Sequence, residues 1–332
     1  MAKINEAQLP DEILQKVVTL KEKYASMGQD LGAYLDGLIH ADYLTYWDYI
    51  HLDTLLSLQN PKTAFPDEQI FIMYHQITEL YFKLSLHELN QIGNKENIST
   101  DYFIARLRRV NNYFKALTTS FGIMRLGMEK EQFLQFRMAL LPASGFQSGQ
   151  YRKIEIHSTE FRNLVDKDHR EEYYELEPSK ENIEKMYEFI YWKKGATELA
   201  TGEKTLTLKQ FEEKYSNEFK ALALQCVNKN IWSVYKGMSE EDQKDEQLIR
   251  EIQFIDINVN INWPLVHYKS AARYLQMDPQ DIAATGGTNW QKYLPPRFQK
   301  RIFYPELWSK DDKDNWGKAW VEENVFFQKE QG

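Results

Sequence analysis

Cysteine is almost missing from this sequence: Cys226 stands alone among 332 residues. A disulfide within the chain is excluded, as is a zinc or iron–sulfur site built on cysteines. Glycine (15) and proline (10) are also scarce, which disfavours a turn-rich β architecture and suits helices. No apolar run reaches the roughly 18 residues that a membrane-crossing helix requires. The formal net charge is −8 and no long basic run occurs, so neither nucleic acid nor a membrane is expected as a partner. The first twenty residues mix charged and apolar side chains. A cytoplasmic protein is the expectation.

Familiar catalytic signatures are absent as well. Seven histidines are scattered at 40, 51, 75, 87, 157, 169 and 267. They form no HExxH or HxH pair, and His87-Glu88 has no second histidine at the required spacing. There is no GxSxG, no phosphate loop and no GxGxxG. The paired Gly286-Gly287 is a weak signal on its own.

What is present is a succession of helical patterns. Residues 9–39 read as one amphipathic helix. A second starts near Thr45, with Asp48 three residues on giving a capping-box-like start, and ends at Asn60-Pro61. Pro66-Asp67-Glu68 opens a third, to about Ile92, and Ser99-Thr100-Asp101 a fourth, to about Gly127. A short helix covers roughly 129–141, and another follows the loop at 142–149. A long helix is predicted from about 240 to 276. Residues 165–250 are charged and helix-prone, with little to mark a site. No repeat or linker divides the chain, so one all-α domain over 1–332 is expected, with 165–250 as a side insertion.

Some residues could carry chemistry. In the third helix His75 and His87 point about 120° apart, so they should not share one metal. Phe71 and His75 lie one turn apart on one face, as do Phe133 and Arg137 in the short helix. An aromatic wall beside one neutral imidazole suits an aromatic ligand with a single N–H, and arginine suits a carboxylate. Tyr46, Tyr49 or Ile50, Asp53 and Leu56 share another face. His267 follows Asn262-Trp263-Pro264-Leu265-Val266, where Pro264 should release an upstream carbonyl. A single histidine can be the whole protein ligation of a haem, because the porphyrin supplies four nitrogens. On spacing alone the ordinary reading of each residue prevails: a satisfied core histidine for His75, core packing for the Tyr46 face, a surface position for Arg137 and a structural role for His267.

Four blocks together resemble the tryptophan 2,3-dioxygenase family. They are LTYWDYIHLDTLLSLQNP (44–61), FIMYHQITELYFKLSLHEL (71–89), FLQFRMALLPASGFQSGQYRKIE (133–155), and a run from WPLVH (263–267) through ATGGT (284–288) to FYPELW (303–308). They occur in the family's order over roughly half the chain. The resemblance implies an all-α, helical haem-binding bundle of the tryptophan/indoleamine dioxygenase type. It implies oxidation of L-tryptophan by O2 to N-formyl-L-kynurenine, on one b-type haem per subunit, ferrous when active. His267 then matches the axial ligand of the haem iron. His75 matches the distal histidine that bonds the indole N–H, and Phe71 the residue packed on the indole. Arg137 matches the arginine that pairs with the substrate carboxylate. Thr285 and Ser144 match contacts to the amino-acid end of the substrate. Tyr46, Tyr49 and Ile50 match residues supplied by a neighbouring subunit of a homotetramer. Position 133 is Phe, where some members have a tyrosine whose hydroxyl helps hold the carboxylate. The His267–Thr285 interval is a few residues longer than in other members. The alternatives are a haem dioxygenase or haem-binding protein acting on a different indole, and a helical protein without catalysis.

Overall fold

The computed structural model of the chain describes residues 9–198, 201–275 and 296–317. Thr285 and the Gly286-Gly287 pair lie outside these residues. The described residues are helical, with two isolated β-bridges and no strand among them, so the expected all-α class holds. The chain divides into two compact units, Met1–Gln59 and Asn60–Gly332.

In the first unit the expected helix over 9–39 is two, α1 (Asp11–Ser26) and α2 (Leu31–Ile39). Gly28 takes a positive φ of 67°, open to glycine at little cost. Asp30 then caps α2 by accepting from the Gly32 and Ala33 amides. The expected second helix is also interrupted, into α3 (Tyr46–Tyr49) and α4 (Leu52–Leu56), because His51 adopts a left-handed conformation. Thr45 caps α3 as its spacing with Asp48 predicts. None of these four helices has a buried residue.

The second unit is built on α5 (Asp67–Gly93), which packs between α6 (Thr100–Ser120) and α9 (Gly149–Ser158). On α6, Phe103, Leu107, Val110, Phe114 and Leu117 recur every three or four residues and are fully buried. Each side chain of this size contributes roughly 1.5–3 kcal/mol by leaving water. The predicted fourth helix bends at Phe121, which passes the chain into α7 (Gly122–Leu126). The predicted helix over 129–141 is α8 (Lys130–Phe136) plus a 3-10 turn, Arg137–Leu140. α5 is not buried all round as its composition suggests: Met73, Ile77, Leu80 and Leu84 are exposed along one stripe.

Residues 165–250 carry α10 (Lys180–Glu188), α11 (Tyr191–Gly195), α12 (Leu206–Gln225) and α13 (Ile231–Lys236). Their Trp192, Phe211 and Phe219 belong to the same buried cluster as Phe103 and Phe114. The predicted long helix over 240–276 is a rod in three pieces. α14 (Glu246–Ile257) runs into a π-helical turn, Asn258–Asn262, and on into α15 (Trp263–Leu275).

Candidate functional site

Four elements bring aromatic rings together in the second unit. Phe71 and His75, one turn apart on α5, lie with ring centres 4.1 Å apart. Phe71 also meets Phe133 and Phe136 of α8 at 6.2 and 5.7 Å. Phe133 in turn meets Tyr274 of α15 at 4.7 Å. On the other side, Tyr74 reaches Phe121, and Phe121 lies 4.4 Å from the ring of His267. Trp263, one turn before His267, abuts the same imidazole at 4.3 Å. α5, the bend at Phe121, α8 and α15 thus meet around two imidazoles.

Both rings are held alike. His75 Nδ1 lies 2.7 Å from the Phe71 carbonyl, and His267 Nδ1 lies 3.0 Å from the Trp263 carbonyl. A carbonyl only accepts, so each Nδ1 carries the hydrogen and donates. In a neutral ring the other nitrogen, Nε2, then presents a bare lone pair. Neutrality is favoured at both. Burial depresses the His75 pKa, and burial together with repulsion from His75 brings that of His267 to about 4. Desolvation is the largest cause at each ring.

This geometry fits a haem at His267. A neutral imidazole with its Nδ1–H anchored to a backbone carbonyl is the usual form of a metal-bound histidine. The rings of Phe121 and Trp263 supply apolar surroundings, and no cluster of acidic, histidine or cysteine side chains competes for a metal among the described residues.

Arg137 follows directly on α8 and is only 4% exposed. Burial lowers its pKa, by the cost of taking a guanidinium out of water. Ser144 caps the 3-10 turn Gly145–Gln147, its hydroxyl accepting from the Phe146 amide while Gln147 reaches back to the Ser144 amide. Tyr46, Tyr49 and Ile50 lie in the first unit. The remaining histidines are not part of this ring cluster. His87, His40 and His51 are exposed, His169 stacks on Phe189, and the buried His157 repeats the Nδ1-to-carbonyl bond, to Lys153. That bond is therefore a habit of helical histidines; the aromatic convergence is what sets His75 and His267 apart.

Sequence reasoning gave no role to Phe121, Phe136 or Tyr274. Tyr274 could have been found, since it sits two turns after His267 on the same face. Phe121 could not, because it acts from a bend that the continuous pattern hides. A buried polar network beside the site was also unforeseen. Glu155 of α9 accepts from Tyr191 and Arg301 at 2.6 Å and from Arg152 at 3.0 Å. Asp256 of α14 accepts from Asn260, the Phe303 and Tyr304 amides, and the Trp308 indole, at 2.6 to 3.2 Å.

Fold and site together define an all-helical protein with two histidines inside one cluster of aromatic rings. Comparison with known sequences adds the lineage. A profile of the tryptophan 2,3-dioxygenase family matches residues 38–256, more than half of the chain, and the chain belongs to that family. A tryptophan 2,3-dioxygenase of Herpetosiphon aurantiacus is 28% identical over 271 residues, spanning 80% of this chain and 96% of the relative. One of Bacillus thuringiensis subsp. konkukian is 28% identical over 284 residues, 82% and 94% of the two chains. The match to that of Ruegeria sp. is closer but local: 42% identity over 116 residues, 35% of this chain and 41% of the relative. The family match takes in Phe71, His75, Phe133, Arg137 and Ser144 and ends before His267.

Proposed function

We propose that the chain is a haem-dependent tryptophan 2,3-dioxygenase, converting L-tryptophan and O2 to N-formyl-L-kynurenine. The observation that carries this reading is the pair of imidazoles whose burial favours the neutral form, each with Nδ1–H tied to its own helix and Nε2 without a partner among the described residues, within one cluster of aromatic rings. His267 Nε2 holds the haem iron. A bound b-type haem supplies the redox-active iron on which dioxygen chemistry depends.

The other residues bind and orient. His75 Nε2 accepts the indole N–H, which requires the neutral ring that burial favours. Phe71 packs on the indole face. Arg137 offers two parallel N–H donors to the substrate carboxylate and so fixes its direction as well as its charge. Phe133 lacks a hydroxyl, which leaves the carboxylate more dependent on Arg137. Thr285 and Ser144 serve the amino-acid end of the substrate. Tyr46, Tyr49 and Ile50 complete the site of a neighbouring subunit in a homotetramer, which places the exposed apolar side chains of the first unit against another copy. The cytoplasm is the proposed location; among the described residues no helix is long and apolar enough to cross a membrane.

The test is direct. The purified chain is loaded with haem, reduced, and given L-tryptophan in air, while the Soret band and the near-ultraviolet band of the formylated product are followed together. The reading requires a Soret band that responds to L-tryptophan and the appearance of product. A haem-loaded ferrous protein that forms none would sink it. A product from another indole but not from L-tryptophan would move the assignment to a different substrate.

A further inference from the structure

The rod that carries His267 contains an unusual joint. In the π-helical turn Asn258–Asn262 the Trp263 amide donates to the Asn258 carbonyl, five residues back. Continued by one residue, that register pairs the amide of residue 264 with the carbonyl of Val259. Residue 264 is proline and has no N–H. The Val259 carbonyl, in a residue wholly buried, is therefore left without its helical donor, and leaving it so would be costly.

Two side chains from elsewhere take the place of the missing N–H. The hydroxyl of Tyr151, on α9, donates to the Val259 carbonyl at 2.9 Å. Arg301 Nη2 donates to the same oxygen at 3.3 Å and to the Tyr151 oxygen at 3.1 Å. Arg301 also donates through Nε to the side chain of Asn260, inside the same turn. Burial holds the Tyr151 phenol at about 12, so it keeps its proton.

The joint ends at Asn262, five residues before His267 and so little more than one turn from the imidazole. A π turn accommodates one residue more than the α register. Each residue advances an α-helix by about 100°, so losing the joint would swing the face carrying His267 by about that angle. We infer that Tyr151 and Arg301 are positioning residues: by standing in for the missing N–H at position 264, they lock the π register that sets His267 against the rings of Phe121 and Trp263. The inference rests on the reading of His267 as the haem ligand only for its consequence, not for the joint itself.

In the full chain, Tyr151→Phe should speed amide exchange across residues 262–268 by roughly tenfold, the effect of one lost buried hydrogen bond. Exchange in Thr100–Ser120 should stay unchanged, and the local effect should appear with and without haem. In the ferrous haem-loaded protein the iron–histidine stretching band should shift or split, a signature that general loss of stability does not produce. Adding Pro264→Ala to Tyr151→Phe restores an N–H at position 264 and should recover most of the protection. Unchanged exchange across 262–268 in Tyr151→Phe overturns the inference, as does a double variant no better protected than the single one. Should Tyr151→Phe fail to fold, recovery of cooperative melting in the double variant supports the inference and its absence overturns it. A chain that binds no haem but shows the exchange pattern would refute the haem reading alone.

Discussion

Two groups of polar side chains are anchored on the rod of α14 and α15, one at Asp256 and one at His267, and they are finished in opposite ways. Around Asp256 and Glu155 nearly every lone pair has a donor: four hydrogen bonds reach the one carboxylate and three the other. A few residues further on, His267 spends one nitrogen on its own helix and, among the described residues, leaves the other without a partner, as His75 does on α5. The saturated group fastens the segment at 301–308 onto α14 and α9, so it acts within the protein. The open nitrogens are the ones the proposed function assigns to haem iron and substrate. A buried polar group that is fully bonded serves the structure, and it is the convergence of aromatic rings, more than the half-bonded state that His157 shares, that marks the other pair for a ligand.

Substitutions should pull the two groups apart. The largest effect is expected for His267→Ala: haem affinity should fall by about 100-fold or more, since even outer-shell partners of a metal ligand are worth about 10–100-fold. Haem titration monitored at the Soret band reads this, and thermal stability of the haem-free chain should barely change. Asp256→Asn should do the reverse, costing about 2–4 kcal/mol in urea unfolding, because an amide turns N–H groups toward donors that need an acceptor. If it instead left stability intact and removed haem, the division drawn between the groups would collapse. His75→Ala should retain haem with an unshifted affinity and lose about tenfold or more in turnover or in control of where the indole is oxidised, as steady-state assays with product analysis will report.

The smallest effect is one of pH. The His267 imidazole titrates near 4 in the folded chain and near 6.5 when unfolded. Above pH ~6.5 both states are neutral and the group is silent. As pH falls from there toward 4 the unfolded state takes up the proton first, so the folded haem-free chain loses stability, by about 1 kcal/mol per pH unit at most. Asp256, raised by burial to about 6, works in the other direction: its folded form holds a proton that the unfolded form releases, so its contribution is lost as pH rises toward 6. The two therefore oppose each other between about pH 4 and 6. The stability gap between the wild type and His267→Ala, followed by denaturant unfolding across this range, isolates the histidine part. A gap independent of pH would show that the ring is not desolvated in solution.

Much of this was legible from local pattern. The third helix, its Phe71–His75 pair and the outward turn of His87 follow from a period of 3.6 residues. Thr45 announces its cap, and Pro264 announces a released carbonyl. What the sequence hides is non-local. Glu155 and Arg301 meet across 146 positions, and nothing near either residue marks the other as its partner. Phe121 looks like one more apolar residue of a continuous helix until the chain bends there. The interruptions at Gly28 and His51 are conformational choices of single residues, which amphipathic periodicity passes over. The π turn is invisible for a related reason: it changes how many residues fill a length of helix, not which residues they are.

That last point has a consequence for how the chain can vary. Because the turn Asn258–Asn262 takes up one residue more than an α-helix of the same length, deleting any one residue within it would leave every candidate ligand and contact residue present. An alignment would score such a chain as complete. Its histidine would nonetheless face about 100° away from where the intact chain puts it. In this stretch the count of residues itself sets the direction of His267, and a natural relative one residue shorter there would have to aim the corresponding histidine by some other arrangement.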